Sequence, residues 1–162
     1  MNTPIDPTFP EPLFDFAIKR SFSDLQVAIH KAINSSRISH TYKTEVDYCL
    51  GNYLCWMMAK LERLEEDKVS IDIDNLNYLR AFRYAFNELK HGSLLTRLSS
   101  QSGGFTFPLS FPKSIAPINY VWLPIAPSDT AFENQYKRYK KFLEAKTVLS
   151  TVQKATDILL EL

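Results

Sequence analysis

Arg80, Arg83, Asn87, Lys90 and His91 are the residues of this chain whose types and spacing could do chemistry. On an α-helix at about 100° per residue they fall within an arc of roughly 100°, while Leu79, Phe82, Ala85, Phe86 and Leu89 fall on the other side. One face of such a helix can be core and the other a site. A neutral imidazole accepts a hydroxyl proton near physiological pH and its cation returns one to a leaving oxygen, while a guanidinium holds phosphate oxygens in a fork. His91 and Arg83 are the candidate reacting pair, with Arg80, Asn87 and Lys90 as binding residues. A bland reading stands beside this one: a histidine just before a helix-ending glycine, here Gly92, complements the helix dipole and meets exposed carbonyls.

A second constellation lies further along. Lys137, Arg138, Lys140 and Lys141 are interleaved with Tyr136, Tyr139 and Phe142, a pattern that could contact RNA phosphates and stack bases. The same aromatics keep helical core spacing, so a solvated basic face over a buried stripe explains them equally. Phe105, Phe107, Phe111, Tyr120 and Trp122 could form a partner surface or cap an open end of the core. The sequence contains no phosphate-binding glycine loop, nucleophile elbow, paired-carboxylate site or zinc spacing, so no cofactor and no metal are expected.

The elements that must position these residues follow from periodicity. Phe14, Ile18, Phe22, Leu25, Ile29 and Ile33 keep the three-and-four spacing of a helix with one buried face. Ser35, Ser36 and Ser39 mark a break, and a second helix runs from Thr41 through Val46, Cys49, Tyr53, Met57, Leu61 and Leu64 into the charged run from Glu62 to Lys68, read as a solvated helix end. Val69 to Ile73 alternates like a short strand. Asp74 or Asn75 then caps a third helix, about Leu76 to His91, which carries the polar arc and stops at Gly92.

From Gly92 to Ser128 helical periodicity disappears. Gly103, Gly104 and five prolines punctuate aromatic segments around Phe105–Phe107 and Asn119–Trp122, which suit a β-hairpin. Thr130 and Glu133 form a capping-box pattern, and Phe132, Tyr136, Tyr139, Leu143, Val148, Val152, Ala155 and Leu159 continue as one fourth helix. Four amphipathic helices can bury their stripes only against one another. The expected fold is therefore all-α, an antiparallel four-helix bundle in a single domain over 1–162, with a proline-rich lead at 1–12 and an irregular insertion at 92–128.

Composition constrains the partners. With 162 residues and a formal net charge of +1, the chain can bury a real core but has no overall field to draw it to nucleic acid or an anionic membrane. Any basic site must come from local clustering. Cys49 and Cys55 lie out of line on one helix, so a disulfide between them is not expected, and free thiols suit a reducing cytoplasm. Neither a signal peptide nor a membrane-spanning apolar run is found, so the expectation is a cytoplasmic protein without a membrane partner.

Arginine, then asparagine, then Lys90-His91 at a helix end resembles the HEPN helical-bundle proteins, many of which are RNA-cutting toxins. In their pattern an arginine and a histidine are separated by four to six residues, often with asparagine directly after the arginine. The resemblance implies a homodimer in which two such helices meet and cut RNA without a metal. Asn87 and His91 match, whereas Phe86 stands where the arginine belongs, and Arg83 is separated from His91 by seven residues. Asn87 to His91, the Gly103-Gly104-Phe105 and Phe107–Pro112 segments and Trp122 also resemble an uncharacterised bacterial helical family. Two functional readings follow. One is a non-catalytic or weakly active HEPN-like protein that binds RNA, a nucleotide or a protein partner through the polar face of the third helix. The other is a metal-independent endoribonuclease toxin of a toxin-antitoxin or phage-defence system, with an antitoxin as partner.

Overall fold

Apolar periodicity becomes real packing in the first two helices of the computed structural model, which describes residues 11–35, 40–100, 118–127 and 132–162. Helix α1, Glu11–Asn34, lies antiparallel to α2, His40–Glu66. Ion pairs at both ends, Lys31 to Glu45 and Asp15 to Lys60, fix that direction. Between them Ile18, Phe22, Leu25 and Ile29 meet Tyr53, Leu54, Met57 and Leu61 in the common core.

The third helix, α3, spans Ile73–Lys90. It starts earlier than its hydrophobic pattern suggests because Asp72, not Asp74 or Asn75, is the cap: its carboxylate accepts from the backbone N–H groups of both of the latter. Capping therefore absorbs the segment expected to be strand-like, since Ile73 already belongs to the first helical turn. At the other end the Ser93 N–H reaches back to the Glu88 carbonyl and Gly92 adopts φ 78°. This is the left-handed stop that glycine makes without strain.

A two-stranded antiparallel sheet follows, β1 at Thr96–Ser100 and β2 at Ile118–Trp122, with Thr96 opposite Trp122 and Ser100 opposite Ile118. Of the expected hairpin, the second strand lies where the sequence placed it. The first strand observed lies nearer α3 than Phe105–Phe107, and those residues, with Phe111, Thr130 and residues 1–10, fall outside the described residues; the lead expected over 1–12 is shorter, because Glu11 and Pro12 open α1. Leu95, Thr96, Tyr120 and Trp122 are buried.

The expected single fourth helix is two. Helix α4, Glu133–Phe142, and α5, Val148–Leu160, are separated by an elbow in which Ala145 takes φ 61°. Neither glycine nor proline marks the spot. Instead the elbow backbone pairs with the end of β2: the Ala145 N–H donates to the Trp122 carbonyl and the Trp122 N–H to the Lys146 carbonyl. These bonds to the sheet replace the helical ones that would have run through the break.

Among the described residues the protein is therefore mostly helical, with five helices and one small sheet. Helix α5 is the innermost, its Val148, Val152, Ala155 and Leu159 fully buried. Polar groups from several elements converge on it. The Tyr53 hydroxyl contacts the Val152 carbonyl and the Thr156 hydroxyl, Lys60 Nζ donates to the Leu159 carbonyl, Tyr78 Oη to the Thr151 carbonyl, and Trp122 Nε1 to Thr151 Oγ1 at 2.8 Å. No described helix is long and apolar enough to cross a membrane.

Candidate functional site

Helix α3 carries the polar arc between two neighbours. It runs antiparallel to α2, so the end of α2 lies beside its first turns. There Arg80 Nε donates to Glu65 Oε1 at 2.8 Å and an Arg83 terminal nitrogen to Glu65 Oε2 at 2.7 Å. One carboxylate holds both guanidinium groups. Burial pushes the Glu65 carboxyl up, but the hydrogen bonds from Arg83 and Arg80 and their positive charge outweigh it and hold the group below the usual carboxylate range. Glu62, Glu66 and Asp67 surround this end of α2, where the helix dipole is also negative. The cations thus neutralise a local excess of negative charge, which is a poor setting for a phosphate.

The clamp has a measurable signature. Because the folded pKa of Glu65 is lowered, its stabilisation is fully present above the ordinary carboxylate value and is lost as pH falls through the folded one. Glu65→Gln should cost about 1 kcal/mol at neutral pH, the scale of a part-exposed ion pair with good geometry. The difference between the two proteins should vanish in urea titrations at acid pH. A neutral-pH cost of zero would show that the arginines are not held.

Further along α3, Asn87 Nδ2 donates to Gln135 Oε1 of α4 at 3.2 Å, and Lys90 Nζ sits 4.5 Å from the centre of the Phe86 ring. His91 is the exposed C-terminal cap, and its backbone N–H donates to the Asn87 and Glu88 carbonyls. Its imidazole makes no hydrogen bond or ion pair with the described residues. Eight helical positions separate it from Arg83, about 12 Å along the axis. The structure thus brings Arg80 and Arg83 together, on Glu65, and does not join either of them to His91 by any described contact.

Phe86 is half-buried and lines a groove of about 560 Å³ between α2 and α3. Gly51 and Leu89 form its floor, and a Cβ on Gly51 would come within 3.1 Å of Leu89 Cδ2. Tyr48 and Cys55 stand exposed on the α2 side, and Asp47, which is held by Lys43 and Thr96, and Lys90 also line it. The sequence expectations do not include Gly51 and Tyr48 as site residues, and they treat Cys55 only as a free thiol, because the core stripe of α2 runs through other positions. Their signal was there: a glycine inside a long helix marks close approach of another element.

The basic residues of α4 divide. Lys137 pairs with Glu133, Arg138 Nε donates to Asn77 Oδ1 at 3.1 Å, and Lys140 and Lys141 are exposed, Lys141 over the Phe142 ring. The intervening aromatics are not a free stacking platform. Tyr139 is fully buried and donates its hydroxyl to the Leu123 carbonyl, and Tyr136 stacks on it.

Among the described residues no group of three or more His, Cys, Asp or Glu side chains is placed to hold a metal ion. No family model, curated protein or solved structure matches the chain.

Proposed function

We propose that this chain is a HEPN-like interaction module without ribonuclease activity, and that its partner is a second copy of itself, held through the groove between α2 and α3. The observation that carries this reading is Phe86. At the position of the motif's arginine it presents an aromatic ring to an apolar groove, while the two arginines that could replace the missing one are bound to Glu65. An apolar floor flanked by exposed Tyr48, 73% accessible, suits a protein surface better than a polyanion.

Charge supports a second copy as the occupant. Asp47 on one wall, already paired with Lys43 and accepting from the Thr96 hydroxyl, and Lys90 on the other place opposite charges on the two sides, so a two-fold axis that sets Lys90 of one copy against Asp47 of the next adds a second cation to that carboxylate.

Light scattering at high micromolar concentration should report a dimer, and Tyr48→Glu should return it to a monomer with an unchanged circular dichroism spectrum. A monomeric native protein would overturn the assignment. Single-stranded RNAs should remain intact on incubation with either protein. Cleavage that disappears in His91→Ala would restore the alternative reading, a metal-independent ribonuclease.

A further inference from the structure

The other end of α3 gathers cations from three segments around one aromatic pair. Tyr78 and Phe142 meet edge to face with ring centres 5.5 Å apart. Lys141 Nζ, from the end of α4, lies 4.9 Å from the Phe142 centre, and Lys146 Nζ, from the elbow, lies 6.0 Å from it. Lys154 Nζ, from α5, lies 4.4 Å from the Tyr78 centre. Arg138, one turn before Lys141 and Phe142, reaches Asn77, the residue next to Tyr78. The elbow is what brings Lys146 into this group, because a continuous helix would have carried it away from the break.

None of these four cations has a carboxylate partner among the described residues. Lys146 Nζ donates to the Lys141 carbonyl, and Arg138 to a neutral amide. Of the nearby acids, Glu133 pairs with Lys137, while Glu144 and Asp157 keep their charge and accept from neutral groups, the Tyr136 hydroxyl and the Gln153 amide. Asp74, one turn before Tyr78, forms no described ion pair with any of the four. Four cations thus stand together, none within ion-pair distance of a described carboxylate, on a chain whose net charge is only +1. Ring faces covered by ammonium groups are not free to stack bases, so the patch can read charge but not sequence.

We propose that Arg138, Lys141, Lys146 and Lys154, grouped around Tyr78 and Phe142, form a phosphate-binding patch that engages the backbone of single-stranded RNA without sequence preference. The patch is remote from the α2–α3 groove, and the inference does not depend on the self-association proposed there.

Fluorescence anisotropy with labelled single-stranded RNA oligonucleotides of two unrelated sequences tests it. Both should bind with similar affinity. The triple variant Lys141→Gln, Lys146→Gln and Lys154→Gln should weaken binding at least tenfold at moderate salt, and should flatten the dependence of log affinity on log salt by about 2, since each lost phosphate contact removes about 0.7. The matching triple change to arginine should retain binding. A control that removes the same charge from α1, with Lys19, Arg20 and Lys31 each changed to glutamine, should leave it nearly intact. Equal losses in the two glutamine triples, or no binding by the native protein, would overturn the proposal.

Inorganic phosphate separates the possible sources of the ligand. Competition no stronger than chloride at equal ionic strength supports a polymer backbone, whereas displacement at low millimolar phosphate would replace RNA with a free phosphate. Binding to phosphatidylserine vesicles without binding to RNA would also overturn the RNA assignment.

Discussion

Trp122→Ala should lower the unfolding free energy by about 3–5 kcal/mol, the range for removing a large aromatic from a packed interior. Trp122 is fully buried, meets Phe82 of α3 and Tyr139 of α4 edge to face, and donates through Nε1 to Thr151 of α5. Its backbone also holds the elbow between α4 and α5. A loss of that size is a large share of the stability of an ordinary domain. Trp122→Phe keeps a ring against Phe82 and Tyr139 but forfeits the indole N–H, so it should cost less than half as much. Urea denaturation followed by circular dichroism measures both changes, and an alanine variant within 1 kcal/mol of the native protein would refute the role given to this residue.

Lys60 should show the second largest effect. Its side chain is only 2% exposed, and its ammonium group is held by Asp15 at 2.8 Å and by the Leu159 carbonyl. Lys60→Ala removes both partners' donor and opens a void, which should cost about 3 kcal/mol. Lys60→Met fills the volume while leaving the carbonyl and Asp15 without the charge, and should cost about 1–2 kcal/mol. Asp15 is one-third exposed, so water compensates for part of its loss. The order of the two variants is the test: methionine no better than alanine would mean that packing of the lysine stem contributes nothing.

The three long helices were legible because each buries a stripe that repeats every three or four residues over several turns. What escaped the sequence depends on contacts between distant segments. The elbow at Ala145 has no breaker residue and exists because β2 offers its backbone there. Thr96–Ser100 shows no alternation strong enough to mark a strand, and it becomes one through pairing with Ile118–Trp122.

The candidate site divides on the same principle. Helical spacing correctly placed Arg80 and Arg83 on one face, but the sequence could not say that Glu65 waits opposite them. The charged run at the end of the second helix, read as solvated, supplies their partner. Lys146 and Lys154 were invisible as neighbours of Lys141 for a related reason: only the fold brings the elbow and α5 beside α4.

The convergence of polar contacts on α5 also orders events during synthesis. Tyr53, Lys60, Tyr78 and Trp122 are all made before Val148–Leu160, yet each finds its partner there, in the case of Tyr53 and Lys60 about a hundred residues later along the chain. A nascent chain that has released α1 to α4 from the ribosome still lacks the helix that satisfies them. Its native core therefore closes only after α5 emerges, and until then the unfinished core is the surface most open to chaperones.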